Sequence, residues 1–243
     1  MKETQPPDLG RRRVRQLRAA ANVHRSVAAR VEAFSALLLG APYAAHGLTG
    51  SADVPEAFTA AVDRFDCVTY VETVLSLARA STVDGFLDEL RQLRYDGGRV
   101  EWKRRNHYMT SWISRNAARA DVLRPLSDAS AAVLKERRLD AVPGLPARQA
   151  RFSCVPKGKL KRLELFLRTG DLVFFVSTRA DLDVFHCGLL VRSEGQWKLR
   201  HASRSNGKVV EEELARFLAA NRMSGVVAVR PLERAAAPRG GRA

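Results

Sequence analysis

Near Thr169 the apolar residues of the chain change their spacing, and this change limits the fold to a mixture of helices and strands. Before it, apolar residues recur at three- and four-residue steps, as on the buried face of a helix. After it, the apolar runs are short and rich in β-branched and aromatic residues, which favours strands. Helices followed by antiparallel strands predict an α+β domain. The predicted helices are 27–39, 66–80, 83–93 and 105–116, and the predicted strands are 171–176, 184–191, 197–202 and 225–231.

Composition predicts one domain with disordered ends. Residues 1–22 are polar and basic, and residues 233–243 are rich in alanine, glycine and arginine, as disordered termini often are. We expect a single domain over 23–232, because a hydrophobic content of 46% is enough for a core. Within it, 121–150 carries a weak signal that predicts loops and a short helix near 131–138.

The chain is strongly basic, with 41 lysine and arginine residues and a net charge of +15. Such a charge attracts nucleic acid, an anionic wall polymer or an acidic small substrate. Apart from a cluster at 11–18 the arginines are scattered, and no nucleic-acid motif accompanies them, so we expect a solvated basic surface and no nucleic-acid partner. A binding module that holds wall polymer or nucleic acid without cutting it remains the alternative from another class.

The sequence predicts neither a membrane span nor a cleaved export signal. No apolar run approaches the roughly 18 residues that a span needs. The N-terminus MKETQPPDLGRRRVRQLR lacks the apolar core of a secretory signal. The expected location is therefore the cytoplasm, or the cell wall or periplasm by a route without such a signal. The three cysteines are widely spaced and predict no disulfide framework: Cys67, Cys154 and Cys187.

Cys67 occupies a position that suits a nucleophile. It lies in FDCVTYVETVLSLARA at 65–80, where apolar residues follow a helical period and Asp66 is a good N-cap. Cys67 is then the first helical residue, where free amide groups and the helix dipole favour a thiolate. The alternative is that Cys67 is a small buried hydrophobe.

Two histidines are predicted to share one face of a β-hairpin. The turn SEGQ at 193–196 sets the register of the flanking strands, with Gly188 opposite His201 and His186 opposite Ser203. Because side chains alternate along a strand, His186 and His201 project from the same face, and Gly188 leaves room between them. This arrangement matches a general base with an orienting partner, the relay that activates a cysteine or serine. The alternative is that both are structural histidines with satisfied hydrogen bonds.

Zinc is the other use for these side chains. Cys67, His186 and His201 could supply three ligands. However, the chain has no HExxH or His-x-His pair, and Cys187 is predicted to face away from His186. We therefore expect no metal.

Six separated motifs together resemble the N-acetylmuramoyl-L-alanine amidase-like family once labelled DUF1460, a branch of the NlpC/P60 papain-like cysteine hydrolases. The resemblance runs in order from about residue 27 to 231. The motifs are LLGAPY at 38–43, RFDCVTYVETVLSLA at 64–78, RNHYMTSWISRN at 105–116, LRTGDLVFF at 167–175, LDVFHCGLL at 182–190 and RHAS at 200–203.

The resemblance implies a fold and a reaction. The implied fold is papain-like, of NlpC/P60 type, with N-terminal helices packed on a small antiparallel β-barrel or sheet. Cys67 would be the nucleophile, His186 the base and His201 the residue that orients it, without metal or organic cofactor. The implied substrates are muropeptides, cut at the N-acetylmuramoyl-L-alanine amide or, alternatively, between D-glutamate and the diamino acid. We expect a monomer. Val68 departs from the serine or glycine that commonly follows the cysteine in the superfamily.

The same motifs contain residues that we expect to line the substrate cleft. Aromatic faces meet sugars there, and arginine meets carboxylate. Each of these residues could instead serve packing or a helix surface. They are Tyr43, Asp66, Arg105, His107, Tyr108, Trp112, Asp183 and Ser203.

Overall fold

A computed structural model describes residues 8–21, 24–45, 47–119, 121–126 and 131–233. The described residues form α-helices, a large antiparallel sheet and a separate two-stranded hairpin. The helices are α1 Asp8–Ala21, α2 Val27–Leu37, α3 Cys67–Arg79, α4 Val83–Arg94, α5 Met109–Ala118, α6 Leu160–Glu164 and α7 Leu214–Ala220. The strands are β1 Leu123–Leu126, β2 Val133–Leu139, β3 Arg148–Cys154, β4 Leu172–Val176, β5 Val184–Ser193, β6 Gln196–Ser203, β7 Lys208–Glu213 and β8 Gly225–Pro231.

The large sheet is open and has helices on both faces. Its strand order is β1-β8-β4-β5-β6-β7, with antiparallel neighbours, while β2 pairs only with β3. One face packs on α1 to α5 and forms the larger core cluster. The other face is covered by α6, α7 and the segment after β3. The predicted mixture of helices and antiparallel strands is confirmed, and the sheet does not close into a barrel.

Helix α3 begins where the sequence predicts. Asp66 is the N-cap, and its carboxylate accepts a hydrogen bond from the Thr69 N–H at 2.7 Å. In return, the Asp66 N–H donates to Thr69 Oγ1 at 2.9 Å, which completes a capping box. From Thr69 onward the helix is buried between α2, α4 and β5. The first turn of α3, with Cys67, is thereby held at the edge of the core.

The prediction of a disordered segment over 1–22 is wrong for residues 8–21, which form α1. Val14, Leu17 and Ala21 lie on one side of this helix and are buried in the larger core cluster. The many arginines hide this apolar stripe in the composition. Residues 1–7 and 22, and the predicted tail from 234 onward, lie outside the described residues.

The prediction of loops and a short helix over 121–150 is also wrong. This region contains β1, β2 and the start of β3. In β2 the more buried positions alternate with exposed ones, but two of them are Lys135 and Arg137. Because these inner positions hold basic side chains, the sequence lacks the usual alternation of apolar and polar residues.

Candidate active site

The β5–β6 hairpin has the predicted register. Ser193 pairs with Gln196, and the ladder continues to Leu189 opposite Arg200. The central turn residues both have positive φ, which suits the twist of a two-residue hairpin. Four residues of sequence at the turn were therefore enough to place both strands.

The register brings the two histidines into contact. His186 Nε2 lies 2.7 Å from His201 Nδ1. A side chain at Gly188 would not fit, since its Cβ would lie 2.8 Å from the Arg200 carbonyl oxygen and 3.1 Å from His201 Cβ. The absence of a side chain at Gly188 therefore allows β6 to approach closely at the point where His201 meets His186.

Strand β7 adds a third member that the sequence analysis missed. His201 pairs with Val210, and Glu212 is the next residue on the same face of β7. Glu212 Oε1 lies 2.8 Å from His201 Nε2. The turn dipeptide Asn206–Gly207 was a usable signal for this strand, because it lies in the short turn after β6 and directly precedes β7.

The three side chains define one arrangement of protons. A carboxylate only accepts hydrogen bonds, so His201 Nε2 carries a proton and donates it to Glu212. Burial, and secondarily the neighbouring His186, lower the pKa of His201 to about 4, so that its Nδ1 is unprotonated at neutral pH. His201 Nδ1 then accepts from His186 Nε2–H. This leaves His186 Nδ1 unprotonated in the neutral ring and available as a base.

Cys67 is half-buried at the start of α3, and its environment favours the thiolate. A hydrogen bond from the Cys187 thiol lowers the pKa of Cys67 well below its ordinary value, and burial opposes this. A hydrogen bond from His186 lowers the pKa of Cys67 further, and so does the positive charge that His186 carries once it has taken the thiol proton. Cys187 Sγ also lies 3.2 Å from the Cys67 carbonyl oxygen. Cys67, His186 and Cys187 thus form one contact group, and the contribution of Cys187 was not predicted.

Phe217 of α7 packs against both imidazoles. Its ring stacks on His186 and meets His201 edge-on, with 5.4 Å between ring centroids in both cases. Phe175 of β4 stacks on His186 with 6.1 Å between centroids, and it packs against Phe217 in a tilted arrangement at 4.5 Å. These aromatic contacts help to bury His201, and they restrict the orientations that both rings can adopt.

Three of the four histidine nitrogens are hydrogen-bonded within the series: His186 Nε2, His201 Nδ1 and His201 Nε2. Within the described ranges, no group of three or more His, Cys, Asp or Glu side chains is arranged to hold a metal ion.

Two of the predicted cleft residues lie beside Cys67. Burial and the nearby Cys67 both raise the pKa of Tyr43, so its phenol is a neighbour of the thiol. The Tyr43 backbone also bridges to Phe65, just before the helix. Burial, then Cys67, raise the pKa of Asp66, whose carboxylate is engaged in capping α3.

The segment 105–108 precedes α5, although the sequence predicts a helix there. Arg105 pairs with the buried carboxylate of Glu56 at 3.0 Å. His107 Nε2 lies 2.7 Å from the Trp102 carbonyl oxygen, and burial lowers its pKa. Tyr108 is buried, and its hydroxyl accepts a hydrogen bond from the Val142 N–H at 3.2 Å.

Trp112 lies in the core, which corrects its nomination as a cleft residue. Its side chain is only 1% exposed, packs against Phe174 and donates its indole N–H to Glu72 at 3.1 Å. No ring face is left for a sugar.

Asp183 and Ser203 are both buried and hydrogen-bonded within the protein. The Asp183 carboxylate accepts from the Thr110 N–H and hydroxyl, both at 2.7 Å, and from the Val184 N–H. It thereby ties the start of α5 to the start of β5. The Ser203 hydroxyl accepts from Asn206 Nδ2 at 2.9 Å in the β6–β7 turn.

The sequence profile of the family described as N-acetylmuramoyl-L-alanine amidase-like matches residues 33–226, most of the chain. The chain belongs to this family. No curated protein matches this amidase-like chain.

Two solved structures resemble the amidase-like chain over most of its length. One, described as an N-acetylmuramoyl-L-alanine amidase from Bacteroides uniformis, is 23% identical with a TM-score of 0.75, covering 85% of this chain and 99% of that one. The other, a DUF1460 protein from Legionella pneumophila, is 21% identical with a TM-score of 0.80, covering 93% and 95%. At these identities the comparison shows a shared fold.

Proposed function

We propose that this chain is a cysteine amidase that hydrolyses the N-acetylmuramoyl-L-alanine amide bond of muropeptides through a thioester. One observation carries the proposal: a cysteine with a lowered pKa begins a helix beside His186, which is followed by His201 and Glu212 in a hydrogen-bonded series. A binding protein has no need of an activated thiol next to an oriented base. The helix-borne cysteine and antiparallel sheet also support placement among the papain-like NlpC/P60 hydrolases.

The start of α3 supports formation of the oxyanion. The Thr69 N–H is used by the Asp66 carboxylate, and the Tyr70 N–H by the Asp66 carbonyl oxygen. The N–H groups of Cys67 and Val68 have no acceptor among the described residues. They are the natural donors to the oxygen that becomes negative when the Cys67 thiolate attacks the amide carbonyl carbon.

His186 moves the protons. It takes the thiol proton from Cys67 and gives it to the departing amine, so the C–N bond breaks and a thioester remains. It then accepts a proton from water, which attacks the thioester carbonyl. The carboxylate product leaves, and Cys67 is regenerated. His201 and Glu212 do not touch the substrate in this scheme, so they are positioning residues.

The family description and the amidase from Bacteroides uniformis support the choice of bond. The test is incubation of the protein with a purified muramyl tripeptide that ends in a diamino acid, with products identified by mass. Free N-acetylmuramic acid and intact tripeptide are expected. Release of the free diamino acid would retain Cys67 as the proposed nucleophile but show that the enzyme cuts a different amide bond from the one proposed. No product at all would contradict the amidase function.

Variants of the positioning residues should show graded losses. His201→Ala is expected to reduce kcat by roughly 10²-fold, because an unoriented imidazole still meets the thiol part of the time. His201→Asn or His201→Gln should recover part of the loss, since a side-chain carbonyl can accept the His186 Nε2–H. Glu212→Leu should cost roughly tenfold, and Glu212→Gln less, because its amide oxygen still accepts from His201. Turnover of the muramyl peptide measures each loss.

His24→Ala is the matched control, because His24 is exposed and lies outside the site. Nitrogen NMR of the His201 ring provides a second readout that a merely structural defect would not change: Glu212→Leu should shift its tautomer, and Glu212→Gln should not. If His201→Ala matched wild type while Asp183→Ala was inactive, the orienting residue would be misassigned.

A further inference from the structure

A cavity lies near the β1 edge of the sheet, where β1 and β8 meet the segment after α6. Its volume is about 320 Å³, whereas a cavity of roughly 15 Å³ is enough to hold one water molecule. Three arginines line it, together with leucines and Phe166, and among the described residues it is lined by no acidic side chain. The three arginines are Arg124, Arg168 and Arg230.

The strand register forces two of these charges together. Arg124 of β1 is directly opposite Arg230 of β8, an arrangement that is destabilising for like charges unless they are compensated. Asp171 compensates Arg230, which donates to both carboxylate oxygens at 2.8 Å. Among the described residues, the side chains of Arg124 and Arg168 have no such acceptor. Two guanidinium groups therefore line the cavity without a counter-charge.

The surroundings of the cavity combine positive charge with exposed apolar side chains. Leu165 and Phe166 line it and are 81% and 52% exposed, although side chains of this kind are usually buried. Lys161 and Arg162 are exposed on the preceding helix α6. An anionic group attached to an apolar chain would satisfy both features at once, with the anion between the arginines and the chain on Leu165 and Phe166.

We propose that this cavity binds a phosphate group, which the apolar rim assigns to the headgroup of an anionic lipid. Arginine guanidinium groups bind phosphate oxygens in pairs, and two are available here. The contact we propose is binding at the membrane surface. Within the described residues no helix is long and apolar enough to cross a membrane. A free phosphate ester would offer the same chemistry without the apolar chain.

The cavity is separate from the cysteine site. Arg230 is anchored to Asp171, immediately before β4, whereas His186 pairs with Phe175 towards the other end of that strand. At about 3.3 Å per residue this is roughly 13 Å along the strand. Phosphate binding and amide hydrolysis can therefore be tested independently.

The test uses the full chain in phosphate-free buffer and two probes. Vesicles of phosphatidylglycerol mixed with phosphatidylcholine are sedimented with the protein, and binding of soluble sn-glycerol 3-phosphate is measured by calorimetry. Arg124→Gln combined with Arg168→Gln should weaken vesicle binding by about 30-fold. Each basic side chain near an anionic surface raises the binding affinity about fivefold, and two are removed. Leu165→Ser with Phe166→Ser should weaken vesicle binding and leave glycerol phosphate binding unchanged.

Arg12→Gln combined with Arg13→Gln is the matched control, because it removes the same charge from exposed positions on α1. It should change vesicle binding by less than about threefold. Binding of glycerol phosphate but not of vesicles, with the same dependence on Arg124 and Arg168, would overturn the lipid assignment and retain the phosphate site. Binding of neither probe, or equal losses in the Arg124/Arg168 and Arg12/Arg13 double variants, would overturn the site itself. Muramyl peptide turnover should match wild type in all three double variants.

Discussion

Replacing Cys67 by alanine is expected to abolish turnover of a muramyl peptide, with a loss in kcat of about 10⁴-fold or more. The change removes the atom that attacks the carbonyl, and no other described thiol can replace it, since Cys154 and Cys187 are buried. His186→Ala should cost a comparable factor, because the thiol then has no base. Both variants should retain the wild-type circular dichroism spectrum and melting temperature within a few degrees.

Cys154→Ala is the matched control and should leave kcat unchanged. Burial raises the pKa of Cys154, whereas the pKa of Cys67 is lowered. At mildly acidic pH, iodoacetamide should therefore alkylate Cys67 before Cys154 or Cys187, and His186→Ala should slow the reaction. Equal labelling of the three cysteines would show that Cys67 is not activated.

The start of α3 and the β5–β6 hairpin could be predicted because their determinants are local. Asp66 and Thr69 are three residues apart and close the capping box on each other. The turn at 193–196 sets every pair of the hairpin that follows from it. Short-range hydrogen bonds and turn geometry do not depend on the rest of the fold, so the sequence contains them in full.

Glu212 escaped prediction because its strand lacks a local pattern. β7 reads KVVEEE, and three consecutive glutamates hide the alternation of faces. Which glutamate meets His201 depends on how β7 pairs with β6. Val209 marks the face of β7 that packs against the helices, and Glu212 lies on the opposite face. The role of Cys187 is similarly non-local, since it depends on contact between β5 and the first turn of α3.

Trp112 shows the limit of reasoning from one helix. Tyr108 and Trp112 are four residues apart, and an aromatic pair at that spacing is as suitable for a sugar-binding cleft as for a core. The structure decides for the core, because the indole N–H finds its acceptor in Glu72, 40 residues earlier in the chain. A polar group that is buried but hydrogen-bonded cannot be recognised without its partner.

Glu72, the acceptor of the Trp112 indole N–H, belongs to a buried ion pair with Arg94 that holds α3, α4 and α5 together. Arg94 donates to Glu72 at 2.7 Å and to the Thr59 carbonyl oxygen at 2.6 Å. Burial raises the pKa of Glu72, and the adjacent Arg94 opposes that rise. Since Glu72 lies five residues after Cys67 on the same helix, the pair also fixes the helix that carries the candidate nucleophile.

Arg94→Leu is expected to lower the free energy of unfolding by about 3–5 kcal/mol, because Glu72 is then a buried charge without a counter-charge. Urea unfolding measures the loss. Arg91→Leu, on the same helix, is the control: its pair with Asp88 is exposed and should contribute at most about 1 kcal/mol.

Without Arg94 the pKa of folded Glu72 should rise further above its unfolded value of about 4.3, so the folded state binds the additional proton and gains stability as pH falls. The deficit of Arg94→Leu should therefore be larger at pH 8 than at pH 5.5. A deficit independent of pH, or no larger than that of Arg91→Leu, would mean that the pair does not stabilise α3 in the way its geometry indicates.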